Sequence, residues 1–220
     1  MLRTIDFYFD VISPYSYLAS TRIVEIAAKY NCELCAKPVL FPAILGHHGQ
    51  KGPAEIAAKR RHLVKDMLRW AAFYNVPLVG PPAHPFNPLL ALRSILAVED
   101  QKSRNLFAVA LLKSAWGLGK DLNNPDVIAA TAAELNLDGA AIVALAQSEK
   151  IKKLLRENTE VAISEGIFGV PTFVVDGEQF WGNDRLDFLC NFLEGKDPLN
   201  ALQIQNILAR PSGADRKIKP

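Results

Sequence analysis

A change of hydrophobic periodicity at Pro14 limits the fold of this chain more than any other feature. Before it, apolar side chains alternate, which predicts a strand over residues 4–11. After it, apolar residues recur at helical spacing as far as Tyr30, and proline suits a first helical turn because its missing N–H would be unpaired there. Ser13 is the expected N-cap of this helix. With a second β-type run over 32–40, the chain opens as β-α-β.

The middle of the chain, about residues 43–157, has helical periodicity and no strand pattern. Its expected helices cover 89–98, 106–116 and 127–135, and they follow a long helix whose apolar face is predicted to hold Val64, Leu68, Ala71 and Ala72. A proline-rich loop is expected over 77–88.

Mixed structure returns near the end of the chain. A helix is expected over 148–165, and Asp176-Gly177 lies between two short β-type runs, which predicts a hairpin with a type I′ turn. Asn183 is the expected cap of a last helix over 184–193. The order is therefore β-α-β, a helical segment, then α-β-β-α.

This order is typical of an α/β thioredoxin-like fold with a large all-helical insertion between its β-α-β and β-β-α halves. Pro171 lies where such folds place a cis-proline, at the start of the third strand. We therefore predict a discontinuous thioredoxin-like domain (1–42 and 158–200), an inserted helical domain (43–157) and a C-terminal extension (201–220) that is partly disordered.

Composition and charge disfavour several classes of protein. The net charge of +2 gives no strongly basic face for nucleic acid. No apolar run approaches the roughly 18 residues of a membrane span, and Asp6 and Asp10 are unlike a signal peptide. Three cysteines form no disulfide framework, and His47-His48 has no further metal ligands near it in the sequence. We expect a cytoplasmic protein without a metal, and a disordered basic tail over Arg216–Lys219.

The predicted helix start at Ser13 is suited to binding an anion. A helix N-terminus presents free N–H groups and about half a positive charge, which stabilise a thiolate placed there. Ser13-Pro14-Tyr15-Ser16 is the pattern of a Cys-Pro-Tyr-Cys redox motif with both thiols replaced by hydroxyls. A serine hydroxyl ionises too weakly to act without a base, and no neighbour in sequence supplies one. The site therefore fits a sulfur from a bound thiol, although a plain N-cap is the simpler reading.

Five segments, spread over residues 5–193, resemble the 2-hydroxychromene-2-carboxylate isomerase family: FYFDVISPYSYLAS, GPAEIAAKRR, RWAAFYNVPL, GIFGVPTFVVDG and FWGNDRLDFL. This family is related to the kappa-class glutathione transferases and to the periplasmic disulfide oxidoreductases. The resemblance implies a homodimeric, glutathione-dependent isomerase that interconverts 2-hydroxychromene-2-carboxylate and trans-o-hydroxybenzylidenepyruvate, a small aromatic and anionic substrate.

The resemblance also implies which residues bind glutathione. Ser13 matches the serine that holds the glutathione sulfur, and Val170, just before Pro171, matches the residue whose backbone pairs with the cysteinyl part. Gln50 lies where relatives often have an asparagine near the bound peptide. The stretch matching the γ-glutamyl site is Trp181, Gly182, Asn183 and Asp184.

The second substrate's pocket is less well defined by the sequence. Lys59 is a candidate for binding anionic groups, with a solvated helix face as the alternative. Trp70 suits either the core or a pocket wall, and Phe86 and Asn87 match a region that lines the pocket in the family.

Three other functions stay open. A kappa-like glutathione transferase or peroxidase uses the same thiolate on another electrophile. A dithiol oxidoreductase would use Cys32 and Cys35, but residues three apart on a strand point to opposite faces. Cys190 is expected in the core, on the last helix. A non-catalytic binding protein on the same scaffold is the third alternative.

Overall fold

A single four-stranded mixed sheet forms the centre of the protein, which we describe from a computed structural model for residues 2–211 and 213. The strands are β1 (Arg3–Phe9), β2 (Cys32–Pro38), β3 (Thr172–Val175) and β4 (Glu178–Trp181), in the order β2-β1-β3-β4. Strand β2 is parallel to β1, and β3 is antiparallel to both β1 and β4. The parallel crossover is made by a helix, α1 (Pro14–Lys29), between β1 and β2 in the chain, as the sequence predicts.

Helices account for most of the remaining chain. They are α1 (Pro14–Lys29), α2 (Phe41–His47), α3 (Ala57–Tyr74), α4 (Leu89–Ala97), α5 (Gln101–Leu112), α6 (Pro125–Ala133), α7 (Gly139–Ala146), α8 (Glu149–Ser164), α9 (Leu186–Leu193) and α10 (Ala201–Leu208). Helix α5 continues into a π-helical turn over Lys113–Gly117, and short 3₁₀ turns cover Pro53–Glu55 and Asn183–Arg185. The sequence pattern did not predict α7 as a separate helix.

The local predictions around the sheet are confirmed. Asp176 and Gly177 have φ angles of 52° and 86°, which a type I′ hairpin turn requires at both central positions. The Val170–Pro171 peptide is cis, as expected from the position of Pro171, and a second cis peptide precedes Pro85. The fold is thus the predicted thioredoxin-like arrangement with a helical insertion.

The predicted apolar face of α3 is confirmed at Ala71 and wrong at its other three residues. Val64, Leu68 and Ala72 are exposed, whereas Leu63 is the other buried position. On the same helix, Asp66 accepts a hydrogen bond from the hydroxyl of Tyr15 in α1. Consecutive residues of a helix point in directions about 100° apart. The observed face at Leu63 therefore lies next to the predicted face at Val64.

One hydrophobic cluster joins the sheet to the inserted helices. The rings of Phe7 and Phe173 stack at 5.2 Å, and the same cluster includes Phe107 and Trp116 from the insertion. The predicted end of the insertion, between residues 157 and 158, lies within α8. The insertion therefore packs as part of the core, on the side that also carries the site described below.

The C-terminal extension contains α10, all of whose residues are exposed. The predicted disordered tail over Arg216–Lys219 lies outside the described residues. Over residues 2–211, each helix is too short or too polar to cross a bilayer.

Candidate functional site

A cavity of about 790 Å³ opens where α1 begins, between the sheet and the inserted helices. It collects most of the residues singled out in the sequence: Ser13, Gln50, Lys59, Trp70, Val170, Pro171, Trp181, Gly182, Asn183 and Asp184. Phe86 and Asn87 are not among its lining residues. The ring of Phe86 packs against the core, and the Asn87 side chain accepts a hydrogen bond from the Leu89 N–H at 3.1 Å.

Ser13 is the N-cap of α1, as predicted. Its hydroxyl oxygen accepts a hydrogen bond from the Ser16 N–H at 3.2 Å, and its own N–H donates to the Asp10 carbonyl at 3.1 Å. Its side chain lines the cavity and is 7% exposed. Because the bond from Ser16 uses a lone pair, the hydroxyl proton of Ser13 is free to donate to an anion at the helix N-terminus.

A buried carboxylate lies beneath this junction. Asp10 is fully buried, and its two oxygens accept hydrogen bonds from the Ile12 N–H at 3.0 Å and the Phe41 N–H at 2.9 Å. Burial raises the pKa of Asp10 to about 7, against the opposing effect of these two bonds. Asp10 therefore ties the end of β1 to the start of α2, on two sides of the cavity.

The raised pKa of Asp10 predicts a pH-dependent contribution to stability. Its folded pKa of about 7 lies above the ordinary value of 3.8, so the folded state binds the extra proton between these limits. The free energy of unfolding therefore falls as pH rises from about 4 to about 7, by at most about 1.4 kcal/mol per pH unit. Asp10→Asn lacks this titration. Urea unfolding at several pH values measures the free energy of unfolding of both proteins. We expect the wild-type value minus the variant value to fall as pH rises from about 4 to about 7; a constant difference would contradict the prediction.

The cis-proline side of the cavity offers unpaired backbone groups. Among the described residues, the N–H and C=O of Val170 make no hydrogen bond within the protein. The preceding turn is held by the Thr172 hydroxyl, which donates to the Gly169 carbonyl at 2.7 Å. A short extended segment of exposed N–H and C=O groups pairs with a peptide ligand in the way that a sheet edge does.

The far end of the cavity combines an acid with an unpaired amide. Asn183 is buried, and its Nδ2 atom has no hydrogen-bond partner among the described residues. The Tyr74 hydroxyl donates to the Asn183 carbonyl at 3.1 Å, which holds this turn against α3. Asp184 pairs with Arg185 at 2.6 Å, but both side chains are about half exposed. Such a pair contributes little to stability, so a ligand ammonium can compete for Asp184.

The predicted capping role of Asn183 was wrong. Helix α9 starts at Leu186, and the 3₁₀ turn between Asn183 and Arg185 separates the two. Gly182 takes the cap position of that turn with φ 113° and ψ 152°, a conformation nearly restricted to glycine. The Asn183 side chain consequently faces the protein interior beside the cavity rather than the end of α9.

Aromatic side chains form much of the remaining wall. Phe168 and Trp181 meet edge to face with centroids 4.8 Å apart, and Trp70 lies on the α3 side. Tyr15 donates a 2.6 Å hydrogen bond to Asp66, and burial together with this carboxylate raises the pKa of Tyr15. The cavity therefore presents flat apolar surfaces beside a few fixed polar groups, which is the usual lining of a small-molecule pocket.

The lining residues that the sequence did not single out include four with side chains suited to contact a ligand: Tyr15, Asp66, His84 and Phe168. Tyr15 follows the predicted N-cap and Phe168 precedes Gly-Val-Pro, so proximity to these motifs was an available signal. His84 and Asp66 are brought in by loops and helix packing, for which the local sequence gives no signal.

The cysteines lie away from the cavity. Cys32 and Cys35 are three residues apart on β2, a span of about 10 Å in an extended strand, which exceeds the reach of a disulfide. Burial raises the pKa of both thiols, which disfavours the reactive thiolate. Cys190 is half-buried on α9. Among residues 2–211 and 213, no cluster of three or more metal-ligating side chains is found.

Comparisons with known proteins agree on one family. A family model described as a DSBA-like thioredoxin domain matches residues 4–194. The chain is 34% identical over 195 residues to a 2-hydroxychromene-2-carboxylate isomerase of Sphingobium xenophagum, with 88% of this chain and 99% of that protein covered. It is 29% identical over 207 residues to glutathione S-transferase kappa 2 of Caenorhabditis elegans, with 87% and 92% covered. A solved 2-hydroxychromene-2-carboxylate isomerase structure superposes with a TM-score of 0.82 at 26% identity, covering 94% of this chain and all of that one.

Proposed function

The chain belongs to the DSBA-like thioredoxin family, in the group of 2-hydroxychromene-2-carboxylate isomerases and kappa-class glutathione transferases, and from this premise we propose that it is a glutathione-dependent cis–trans isomerase. Its proposed substrate pair is 2-hydroxychromene-2-carboxylate and trans-o-hydroxybenzylidenepyruvate. The observation that carries the proposal is a single cavity with a hydroxyl-capped helix N-terminus on one side and the unpaired backbone of Val170 on the other.

The lining residues fit glutathione along its length. Val170 can pair with the cysteinyl backbone, which leaves the thiol near the N-terminus of α1 and the Ser13 hydroxyl. The unpaired Nδ2 of Asn183 suits the γ-glutamyl carboxylate, and Asp184 suits its ammonium. When bound, glutathione supplies a thiolate that adds to the β-carbon of the ring-opened enone, so that its double bond becomes a single bond that can rotate.

The chain's own residues then have defined tasks. Ser13 stabilises the negative charge on sulfur, together with the free N–H groups of α1. Trp70 and Phe168 enclose the aromatic ring of the second substrate, and Lys59 is the candidate partner of its carboxylate. A substrate bound against this mostly apolar wall displaces water, which strengthens each of these electrostatic contacts.

The proposed function is tested with the purified protein and 2-hydroxychromene-2-carboxylate. We expect calorimetry to show glutathione binding and absorbance spectra to show conversion to the trans product only when glutathione is present. Glutathione must be recovered unchanged, because it is released after rotation. Conversion at the same rate without glutathione, or no binding of glutathione, would contradict the proposal.

A kappa-like glutathione transferase is the second candidate, because the kappa-class relatives match this chain over nearly their whole length. It would use the same thiolate but keep the carbon–sulfur bond in its product. Mass spectrometry of the reaction with an aryl halide such as 1-chloro-2,4-dinitrobenzene separates the two, because only the transferase accumulates a glutathione conjugate.

A further inference from the structure

His84 connects the helical insertion to the junction that carries Ser13. Its Nε2 atom lies 3.1 Å from the carbonyl oxygen of Ile12, and a carbonyl only accepts hydrogen bonds. Nε2 must therefore carry a proton, which assigns the neutral ring to one tautomer and leaves Nδ1 with a free lone pair. The bonded carbonyl belongs to the peptide that links Ile12 directly to Ser13.

The orientation of the His84 ring is fixed on a second side. Trp116 meets it edge to face, with centroids 5.1 Å apart and an interplanar angle of 71°. The indole N–H of Trp116 donates to the Val11 carbonyl at 2.9 Å. Two consecutive carbonyls in the turn between β1 and α1 are thus bonded by two rings that touch each other, so His84 has little freedom to turn.

The free nitrogen of His84 is accessible on a residue that lines the cavity. Nδ1 has no hydrogen-bond partner among the described residues. It does not belong to the unpartnered polar atoms that are fully buried, so part of its surface is exposed. Burial lowers the pKa of His84 below its ordinary value of 6.5, so the ring is neutral at pH 7. A neutral imidazole with an open Nδ1 is a proton acceptor.

We propose that Nδ1 of His84 accepts the proton of the thiol that binds beside Ser13, an inference that rests on the proposed function. Nδ1 takes the proton, the S–H bond breaks with its electron pair left on sulfur, and His84 becomes an imidazolium. The bond from Nε2–H to Ile12 strengthens as the ring gains charge, because the donor is then cationic. When the thiolate leaves the product, Nδ1 returns the proton to sulfur, so the balance of protons is restored.

Other charged groups around the cavity set the pH range of this transfer. Arg60 of α3 lowers the pKa of His84 further, whereas the hydrogen bond to Ile12 raises it. The ionisable side chains that share the cavity include three bases and three acids, namely Lys51, Lys59, Arg185, Glu55, Asp66 and Asp184. Desolvation of His84 by burial is the largest influence on its pKa.

Two variants separate proton transfer from positioning. His84→Gln can keep an N–H donor to the Ile12 carbonyl but has no titratable nitrogen, and His84→Phe removes both. We expect each variant to lower kcat for 2-hydroxychromene-2-carboxylate about 100-fold at pH 7, within the range of general acid–base catalysis. We also expect both to lose the acidic limb of the pH–rate profile that lies below pH 6.5. If His84→Gln keeps the wild-type kcat and profile while His84→Phe does not, His84 only positions the junction and the proposal is overturned.

Readouts that do not depend on turnover complete the test. Nitrogen-15 NMR of the wild-type protein is expected to show a protonated Nε2 and an unprotonated Nδ1 for His84 at pH 7; the opposite tautomer overturns the proposal. With glutathione bound, ultraviolet absorbance of the thiolate is expected to report proton transfer coupled to the titration of His84, and this coupling should vanish in His84→Gln. Wild-type protein that binds no glutathione would overturn the proposed function itself, whereas normal binding with an unchanged His84→Gln variant overturns only the role of His84.

Discussion

Ser13→Ala is expected to lower glutathione-dependent turnover by about 100- to 1,000-fold, which is the usual loss when one preorganised donor to a developing anion is removed. The hydroxyl of Ser13 lines the cavity and already accepts the Ser16 N–H, so its proton is directed away from the helix. Without it, the α1 N–H groups alone stabilise the sulfur anion. The thiol of bound glutathione should therefore ionise at a higher pH, which ultraviolet titration of the thiolate measures alongside kcat.

A control is needed because Ser13 is also the N-cap of α1, and losing a cap costs about 0.5–2 kcal/mol of stability. The melting temperature of Ser13→Ala measures how much stability the lost cap costs. Ser16→Ala controls separately for removing a buried serine hydroxyl from the same turn, because this hydroxyl has no hydrogen-bond partner among the described residues. We expect this variant to keep wild-type turnover. Ser13→Thr, which keeps both the cap and the hydroxyl, should retain most activity. Full activity in Ser13→Ala would remove Ser13 from the mechanism.

Local patterns in the sequence were sufficient to predict the helix start and the hairpin that carry much of the site. The change of period at Pro14 located the N-terminus of α1, and Asp176-Gly177 located the hairpin that places Trp181 beside the cavity. These predictions succeeded because each depends on residues that are neighbours in the chain. Proline and glycine restrict or extend the allowed backbone angles wherever they occur.

The remaining parts of the site depend on contacts between distant residues. The bonds from Tyr15 to Asp66 and from His84 to Ile12 span 51 and 72 residues. Helical periodicity shows which residues share a face but not which neighbour that face meets, so α3 was predicted with Val64 inward and folds with Leu63 inward. The proton acceptor that the local sequence around Ser13 lacks is found only when the insertion is folded against β1.

Gly182→Ala is expected to weaken glutathione binding at least about tenfold, which corresponds to about 1.4 kcal/mol. Gly182 has a backbone conformation that residues with side chains rarely adopt, and a Cβ atom there would clash with an Asp184 side-chain oxygen. The alanine variant must therefore move the Asp184 carboxylate or rotate the turn that carries Asn183. Either change displaces the groups that we assign to the γ-glutamyl end, and calorimetric titration with glutathione measures the loss of affinity.

Gly195→Ala is a control for placing alanine at a positive φ away from the cavity. Gly195 follows α9 with φ 69°, where an added Cβ atom meets no atom within 4 Å. Both substitutions force a positive φ on alanine and are expected to lower the melting temperature, but only the one at position 182 disturbs Asp184. Unchanged glutathione affinity in both variants would mean that the γ-glutamyl group binds elsewhere in the cavity. A loss of affinity in Gly182→Ala, with Gly195→Ala unchanged, supports binding of the γ-glutamyl end at the turn that carries Asn183 and Asp184.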